Sequence, residues 1–364
     1  MSTAGAQSSA AIGADDRAAL ADSIRDVLRR QSDPAAVRAA GTVAGRLDRA
    51  LWQTLCEQVG VAALAVPEAY DGAGASFAET ALAVEALGET LAPVPVFSSA
   101  VLAVGAVLLS GDEDACRRLL PGLASGETIG SVCWAGAAGW DTPGVTAEAG
   151  LLSGTAEYVI DGESADVFLV LAGPDRITLH EVAADAPGVT VTPLPVLDPT
   201  RPLARVQFDQ TPAQAVASAP GLAGRLRTLA WALLSAEQTG GAARALELTT
   251  AYTKARKQFG RELASFQALK HAMADMYVTV EAMRSLSAAA VAAVVSAAPD
   301  ADELAAAAHV YCSEGYSQVA GQAIQLHGGI GITWEHDIGL FFKRARADAL
   351  LFGAPHSAVD LLEL

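Results

Sequence analysis

AGQAIQLHGGIGITWEHDIGLFFKRARADALLFGA, residues 320–354, is the most informative stretch of this chain. Its alanine-rich start predicts a helix, and the adjacent glycines Gly328 and Gly329 mark the end of that helix. Because glycine has no Cβ atom, the backbone at these positions can approach another group closely. Two adjacent glycines are usually only a turn, so a ligand site needs a second signal.

The second signal lies upstream, in RKQFGRELASFQALKH (residues 256–271). Arg256 and Phe259 are three residues apart, so a helical turn would place both side chains on one face. Arginine offers a fork of hydrogen-bond donors for phosphate, and an aromatic ring offers a flat surface for packing. The pair suits a dinucleotide, although Arg-x-x-Phe is more often a surface charge beside a core aromatic.

Composition places the chain among globular proteins rich in helix. Its 364 residues are enough for two or three domains, and 52% of them are hydrophobic. Alanine dominates, which favours helices, and aromatic residues make up only 5%. The formal net charge of -17 argues against nucleic acid or an anionic membrane surface as a partner.

The cysteines and the amino terminus bear on the cellular compartment. Cys56, Cys116, Cys133 and Cys312 are scattered without a CxxC pair, which predicts reduced, buried thiols rather than a metal site or disulfides. The opening sequence MSTAGAQSSAAIGADD lacks the basic start and apolar core of a signal peptide. The apolar run around residues 97–109 is too short to span a membrane. We therefore expect a cytoplasmic protein without membrane insertion.

The character of the sequence changes twice along the chain. In the first part, apolar residues recur at helical spacing, as at Leu20 and Ile24. The middle is rich in Val, Thr, Gly and Pro, and helical spacing then returns. We predict three domains accordingly: a helical domain at 1–125, a β domain at 126–216 and a helical bundle at 217–364.

Local patterns support the last two domains. In the β domain, EYVIDG (157–162), DVFLVLA (166–172), ITLHEV (177–182) and RVQFDQ (205–210) read as strands of a small antiparallel barrel or sandwich. In the segment 263–286, apolar residues recur at steps of three and four, which predicts a core helix of a bundle. These apolar residues are Phe266, Leu269, Met273, Met276, Val280 and Met283.

In this order and at this separation, the two signals resemble a known family. RKQFGRELASFQALKH, followed from Gln325 by QLHGGIGITWEHDIGLFFKRA, is similar to the carboxyl-terminal domain of acyl-CoA dehydrogenases. Weaker similarity extends over almost the whole chain. The resemblance implies the acyl-CoA dehydrogenase fold, mainly α with a central β domain: an N-terminal helical domain, a middle β-barrel and a C-terminal four-helix bundle.

The resemblance also implies a cofactor, FAD, which in the family lies between barrel and bundle and reaches the neighbouring subunit. Arg256 would pair with phosphate and Phe259 would pack on the cofactor. The segment from Gln325 to Gly329 would wrap the adenine side, with His327 packing at the helix end rather than taking part in chemistry. The cofactor-binding candidates are Arg256, Phe259, Gln267, Gln325, Leu326, His327, Gly328 and Gly329.

The family reaction needs a base that this sequence lacks. In acyl-CoA dehydrogenases a glutamate takes the α-proton of a CoA thioester while the β-hydrogen leaves as hydride to the flavin. At the position that many members use, after an aromatic residue, this chain has Phe352 and then Gly353. The other family position, near the start of the long bundle helix, falls at Ala230. Neither residue can accept a proton, so we predict no catalytic residue.

The stretch that would hold the flavin ring also departs from the family. Where members have a TEPGAGSD-like loop, residues 133–144 read CWAGAAGWDTPG, and EYVIDGES (157–164) replaces a tryptophan-containing strand. The residues that would reach a partner's cofactor are therefore retained, whereas those that would hold the ring within the same subunit are not.

This contrast indicates a division of labour between subunits. Some bacterial acyl-CoA dehydrogenases that degrade steroid side chains combine two catalytic and two glutamate-lacking subunits, with FAD at the unlike interface. We hypothesise that this chain is the glutamate-lacking partner in such a heterotetramer and is inactive alone. The complex would act on an acyl-CoA, with a steroid side chain favoured, and pass electrons to an electron-transfer flavoprotein.

Other functions are open on the same residues. The chain could be a self-sufficient homotetramer with a displaced glutamate, for which Glu237, Glu247 and Glu281 are candidates. It could be an interaction subunit that has lost the cofactor, although the retained Arg256 argues against that. A metal-binding bundle would need Glu-x-x-His on facing helices, and no Glu-x-x-His occurs in the sequence.

Overall fold

The computed structural model describes residues 13–41, 47–173, 176–217 and 219–362. Helices come first, two small β-sheets follow, and long helices form the last part, so the fold is mainly α with a central β domain, as predicted. The helices of the first part are α1 (Ala14–Gln31), α2 (Pro34–Ala40), α3 (Arg49–Val59), α4 (Phe77–Thr90), α5 (Val104–Ser110) and α6 (Glu113–Ser125).

Short polar residues set the ends of these helices. Ser76 and Glu79 form a reciprocal capping box at the start of α4, and Asp48 caps α3. Residues Val96–Ala103, just before α5, are π-helical. This wider turn faces the β domain, where Ser98 donates a hydrogen bond of 2.5 Å to the Asp161 carboxylate.

The middle part consists of two four-stranded sheets, in the orders β1-β4-β5-β8 and β2-β3-β7-β6. The four predicted strand segments fall in β3, β4, β5 and β7. Against the antiparallel prediction, β1 pairs with β4 in parallel, because the chain crosses into the other sheet between them. The strands are β1 (Gly130–Cys133), β2 (Val145–Glu148), β3 (Leu151–Ile160), β4 (Val167–Ala172), β5 (Thr178–Ala183), β6 (Val189–Pro193), β7 (Leu203–Pro212) and β8 (Gln214–Val216).

The last part is built on long helices that pack against one another. Met276, Val280 and Met283 of the predicted stripe are buried in α8, whereas Leu269 and Met273 are only partly buried and Phe266 precedes the helix. The elements are α7 (Leu222–Ala255), a hairpin of β9 (Lys257–Gln258) and β10 (Arg261–Glu262), α8 (Gln267–Val295), α9 (Ala301–His327), α10 (Ile338–Asp348) and α11 (Pro355–Ala358).

Three of the four cysteines are buried, as expected. Cys116, Cys133 and Cys312 are buried, but Cys56, in α3, is partly exposed.

Among the described helices, α8 has the length and apolar composition of a membrane span, with a mean hydropathy of 1.5 over its most apolar window. Only 33% of that window is buried within this chain, although core helices of soluble proteins share the same composition.

Close packing of α4 against α7 depends on two glycines. A Cβ atom at Gly240 would overlap the backbone carbonyl of Glu85, and one at Gly88 would overlap the carbonyl of Glu237. Each helix therefore presents a glycine to the backbone of the other, which lets the two axes approach closely. This contact joins the N-terminal helices to the C-terminal bundle.

We expect Gly240→Ala to destabilise the chain by about 1–3 kcal/mol, because the added methyl forces the two helices apart. Gly224→Ala on the same helix is the matched control, since nothing lies within 4 Å of its Cβ position. The control should be neutral or stabilising by about 0.5–1 kcal/mol, because alanine favours helix. Urea unfolding of both variants measures the difference, and equal midpoints would contradict the role of the glycine contact.

Candidate functional site

The glycine segment lies where α9 ends. Gly328 has a φ of 63°, which terminates the helix, and both Gly328 and Gly329 are exposed. Nothing lies within 4 Å of the Cβ position at either glycine, so the backbone faces open space. Gln325, one turn earlier, is also exposed, whereas Leu326 is buried and anchors the segment. The segment can therefore meet a ligand from outside.

Arg256 and Phe259 are both exposed, but the predicted helical turn between them is wrong. Helix α7 ends at Ala255, and Arg256 is already extended, with φ of -79° and ψ of 124°. Phe259 and Gly260 have φ values of 54° and 77° and form the two-residue turn of the β9–β10 hairpin. The phenylalanine, 89% exposed, stands at the tip of that turn.

Ring contacts bring the two predicted segments together. Tyr252, one turn before Arg256, stacks on His327 with the ring centroids 4.5 Å apart, and so joins the end of α7 to the end of α9. Phe259 lies edge-on to Phe266, 6.1 Å between centroids. Gln267, the residue after Phe266, is exposed at the first position of α8.

His327 fills the helix end. Its Nδ1 donates to the Ala323 carbonyl at 2.8 Å, and the ring of His336 lies 4.4 Å away. Burial lowers the pKa of His327, and the neighbouring His336 lowers it further, so the imidazole is neutral near pH 7. A neutral ring packed between Tyr252 and His336 supports the segment mechanically and is not placed as a general acid.

The residue before the position of the missing family base packs among aromatic rings. Phe352 is fully buried, with ring centroids 4.9 Å from Trp140 and 5.8 Å from both Trp134 and Phe97. Gly353 follows it with a φ of 112°. We call Phe97, Trp134, Trp140 and Phe352 the aromatic plug.

Three polar contacts, made by Arg227 and His309, hold the plug in place. Arg227 of α7 pairs with Asp141 at 2.7 Å and donates to the Trp140 carbonyl at 2.9 Å. These contacts tie the loop at 133–144 to the bundle. On the other side, the Nε2 of His309 donates to the Gly353 carbonyl at 2.9 Å. The turn after Phe352 is thereby fixed.

The second family position is also closed. Ala230 is fully buried in α7, and the adjacent Trp231 stacks on His309 with centroids 5.1 Å apart. Burial lowers the pKa of His309 to about 4, so this imidazole stays neutral and retains its hydrogen bond to Gly353 at neutral pH. Neither Ala230 nor Gly353 offers a proton acceptor.

The displaced-glutamate candidates occupy other environments. Glu237 is buried, which by itself would raise its pKa, but hydrogen bonds from Arg201 and Arg344 outweigh burial and lower the pKa. Glu247 is exposed and Glu281 is half-buried, and each pairs with an arginine three residues away on its own helix. A base must be partly desolvated and free to take a proton, and none of the three meets both conditions.

Comparisons with known proteins agree with this architecture. The chain matches the acyl-CoA dehydrogenase N-terminal domain over residues 14–127 and the C-terminal domain over residues 228–361. Acyl-CoA dehydrogenase IpdE2 of Mycobacterium tuberculosis is 38% identical over 349 residues, 96% of each chain. Two solved structures have a TM-score of 0.89 over 96% of both chains: a variant of the Tcur3481-Tcur3483 steroid ACAD at 31% identity and the ChsE4-ChsE5 complex from Mycobacterium tuberculosis at 29%.

Helical domain, β domain and helical bundle in this order define an oxidoreductase fold whose members act on CH–CH bonds with a flavin. The chain belongs to the acyl-CoA dehydrogenase family. The fold and family expected from the resemblance are thus confirmed, and FAD is the cofactor of the family.

Sequence reasoning missed the aromatic plug and its anchors. The tryptophans were visible in the loop at 133–144, but nothing in their spacing showed that they meet Phe352. Arg227 lies in GRLRTLAW, where it reads as an ordinary helix charge. A usable signal existed: two tryptophans replacing small and polar residues of the family loop indicate that a space has been filled.

We expect Gly353→Glu to leave the chain without dehydrogenase activity. The backbone φ of 112° is strained for any residue with a side chain, at a cost of about 1–3 kcal/mol, and a Cβ atom there would lie 3.1 Å from the Ser357 hydroxyl. An assay of acyl-CoA oxidation with an artificial electron acceptor, beside a thermal melt, measures both effects. Gly111→Glu, with a φ of 74° but open surroundings, controls for backbone strain alone. Turnover by Gly353→Glu would show that only the carboxylate is missing.

Proposed function

We propose that this chain is the glutamate-lacking subunit of a heteromeric FAD-dependent acyl-CoA dehydrogenase. The complex introduces an α,β double bond into a CoA thioester. In that reaction a partner's glutamate would remove the α-proton, and a flavin held by the partner would supply the hydride acceptor. This chain supplies binding residues for the outer, adenine side of that FAD and has no catalytic residue.

One contrast carries the proposal. The aromatic plug fills the space beside Gly353, so the residues present do not fit a flavin ring or a thioester there. Arg256, Phe259 and the backbone of Gly328 and Gly329 are instead exposed and unobstructed. An exposed guanidinium and open glycine amides fit phosphate, which is the part of FAD that reaches across a subunit interface in this family.

Exposed apolar surface supports a partner subunit. Helix α8 is strongly apolar yet only one-third buried over its most apolar window, and Tyr277 and Val278 are 57% and 66% exposed. Contiguous apolar surface of this kind usually belongs to an interface. Two of the similar solved structures are the Tcur3481-Tcur3483 steroid ACAD and the ChsE4-ChsE5 complex, which supports an unlike partner and a steroid side-chain acyl-CoA as the substrate class.

The remaining features of the proposal follow by analogy with the family. The assembly is a heterotetramer with an electron-transfer flavoprotein as acceptor, and its compartment is the cytoplasm. A self-sufficient homotetramer is disfavoured, because Glu237 is held by two arginines and the other candidate glutamates pair with arginines on their own helices. A cofactor-free scaffold is disfavoured by the open Arg256 and glycine segments.

The direct test compares the chain alone with the chain co-expressed with the product of a neighbouring reading frame. We expect little flavin and no turnover for the chain alone. The complex should contain one FAD for each unlike pair and oxidise acyl-CoA. Full flavin occupancy with turnover by the isolated chain would refute the proposal, and an active complex without flavin contacts from this chain would favour the scaffold.

Arg256→Ala should weaken flavin retention in that complex by roughly ten- to a hundredfold, because a charged hydrogen bond contributes about 1.5–3 kcal/mol. Flavin absorbance after dialysis measures the loss. Arg244→Ala, twelve residues earlier on α7, is the matched control, since Arg244 pairs with Glu247 at 2.6 Å. Equal flavin content in the two variants would count against the assignment of Arg256.

A further inference from the structure

A cluster of buried ionisable residues lies where the three parts of the chain meet. Two arginines and four carboxylates, none more than 7% exposed, come from the β domain, from α7 and from α10. Ser98 of the N-terminal part hydrogen-bonds to one of them. The six ionisable residues are Asp161, Asp198, Arg201, Glu237, Arg344 and Asp348.

Most of these groups satisfy one another. Arg344 donates to Asp198, to Glu237 and, at 2.7 Å, to the hydroxyl of Thr200. Arg201 donates to Glu237 from the other side. The loop before β7 is therefore tied to α7 and α10 by two shared guanidinium groups.

Asp348, the last residue of α10, is the exception. Both of its carboxylate oxygens are fully buried and lack a hydrogen-bond partner among the described residues. The nearest guanidinium nitrogens, Nε of Arg201 and Nε of Arg344, lie 3.5 and 3.9 Å from its Oδ1 without hydrogen-bond geometry. Both arginines hydrogen-bond to other carboxylates, Arg201 to Glu237 and Arg344 to Asp198 and Glu237. The Nε of Arg201 has no hydrogen-bond partner among the described residues, so it attracts Asp348 by charge alone.

Charge balance makes an ionised Asp348 costly. With Asp198 and Glu237 ionised, the two guanidiniums are already neutralised, and a third carboxylate would be a surplus buried charge. An unpaired buried charge costs several kcal/mol, and binding a proton removes that cost. A neutral carboxyl also repels neither Asp198 nor Glu237.

We propose that Asp348 works as a proton-operated latch at this junction: protonated, it lets α10 pack against α7 and the β domain, and ionised, it loosens that packing. The groups that face it are Glu237 from α7, Tyr316 from α9, Arg344 from α10, and Asp198 and Arg201 from the loop before β7. The net charge of these groups without Asp348 is zero, so an ionised Asp348 adds an unbalanced negative charge. Asp161, the fourth carboxylate of the cluster, accepts a hydrogen bond from Ser98, and burial raises its pKa to about 6. The latch is independent of the function proposed above.

The electrostatics agree with this geometry. Burial raises the pKa of Asp348 to about 8, helped by Glu237 and Asp198 and opposed by the two arginines. In the unfolded chain the pKa of an aspartate is about 3.9. The folded state therefore holds a proton that the unfolded state has lost, and the stability due to Asp348 falls as pH rises from about 4 to about 8.

Helix α10 links the junction to two other parts of the structure, the exposed glycine segment and the aromatic plug. The turn at Gly328–Ile332, which contains the exposed glycines, precedes α10, and Phe352 of the aromatic plug follows α10 by four residues. Loosening α10 at alkaline pH would therefore disturb both the glycine segment and the plug.

The test is the melting temperature of the full chain between pH 5 and pH 8 for wild type and Asp348→Asn. Asparagine keeps the shape and removes the titration, so the difference between the two profiles isolates this group. We expect the melting temperature of the variant relative to wild type to increase by about 3–5 °C from pH 5 to pH 8. Tyr316→Phe, which removes an unpartnered hydroxyl from the same pocket, is the matched control and should run parallel to wild type.

Parallel profiles of wild type and Asp348→Asn would overturn the proposal, because Asp348 would then be ionised throughout. A second readout guards against poor folding of the variant. Infrared spectra of the wild-type chain at pH 6.5, about 1.5 units below the folded pKa, should show a protonated-carboxyl band that disappears towards pH 9. The Asp161→Asn variant removes the contribution of Asp161 to this band. If no protonated-carboxyl band remains in that variant at pH 6.5, the proposal is also overturned.

Discussion

The arrangement of the β domain, α7 and α10 depends on the hydrogen bonds that the guanidinium group of Arg344 donates. This group donates to Asp198 and Thr200 of the β domain and to Glu237 of α7, while its own helix, α10, belongs to the bundle. Because the group is buried, it cannot replace a lost partner with water, and removing one partner of a buried pair typically costs about 3–5 kcal/mol. The planar fork also fixes direction, so α10 is held in one orientation.

That orientation has consequences at both ends of α10. Its first residue follows the turn that begins with Gly328, and its last lies four residues before Phe352. One anchored helix thus sets the position of the exposed glycine segment and of the aromatic plug. The α4–α7 contact through Gly88 and Gly240 holds the N-terminal helices to the same frame. The exposed glycine segment and the buried aromatic plug are thus held at the two ends of the same helix.

Much of the fold was predictable, because it depends on periodic patterns and local signals. Helical spacing, strand alternation and the Gly328–Gly329 pair act over a few residues and remain visible in one sequence. The exposed binding candidates were named for the same reason. The helical turn at Arg256 failed because Phe259 and Gly260 adopt positive φ, which a helix-rich neighbourhood concealed.

The buried junction and the ring partners within the plug were not predictable, since both depend on contacts between residues far apart in the chain. Arg344 and Asp198 are separated by 146 positions, and Trp140 and Phe352 meet although they lie in different domains. Nothing in the local sequence of Glu237 distinguishes a buried partner of two arginines from a solvated helix charge. Glu237 was named as a weak catalytic candidate because it lies on a bundle helix. Only the tertiary fold shows that it is buried between two arginines.

Loss of the base and gain of the plug are physically connected. A cleft shaped for a flavin ring and then left empty would be a cavity lined by apolar atoms, and such cavities cost about 24 cal/mol for each Å³ that cannot collapse. Aromatic side chains recover that loss, because each buries a large apolar surface and stacks on its neighbours. The rings pack around Phe352, whereas a side chain at the next residue, Gly353, would meet only the Ser357 hydroxyl within 4 Å. Under the proposed function, filling the space therefore stabilises a subunit that holds no flavin ring of its own, and an acid at Gly353 then has no thioester to act on.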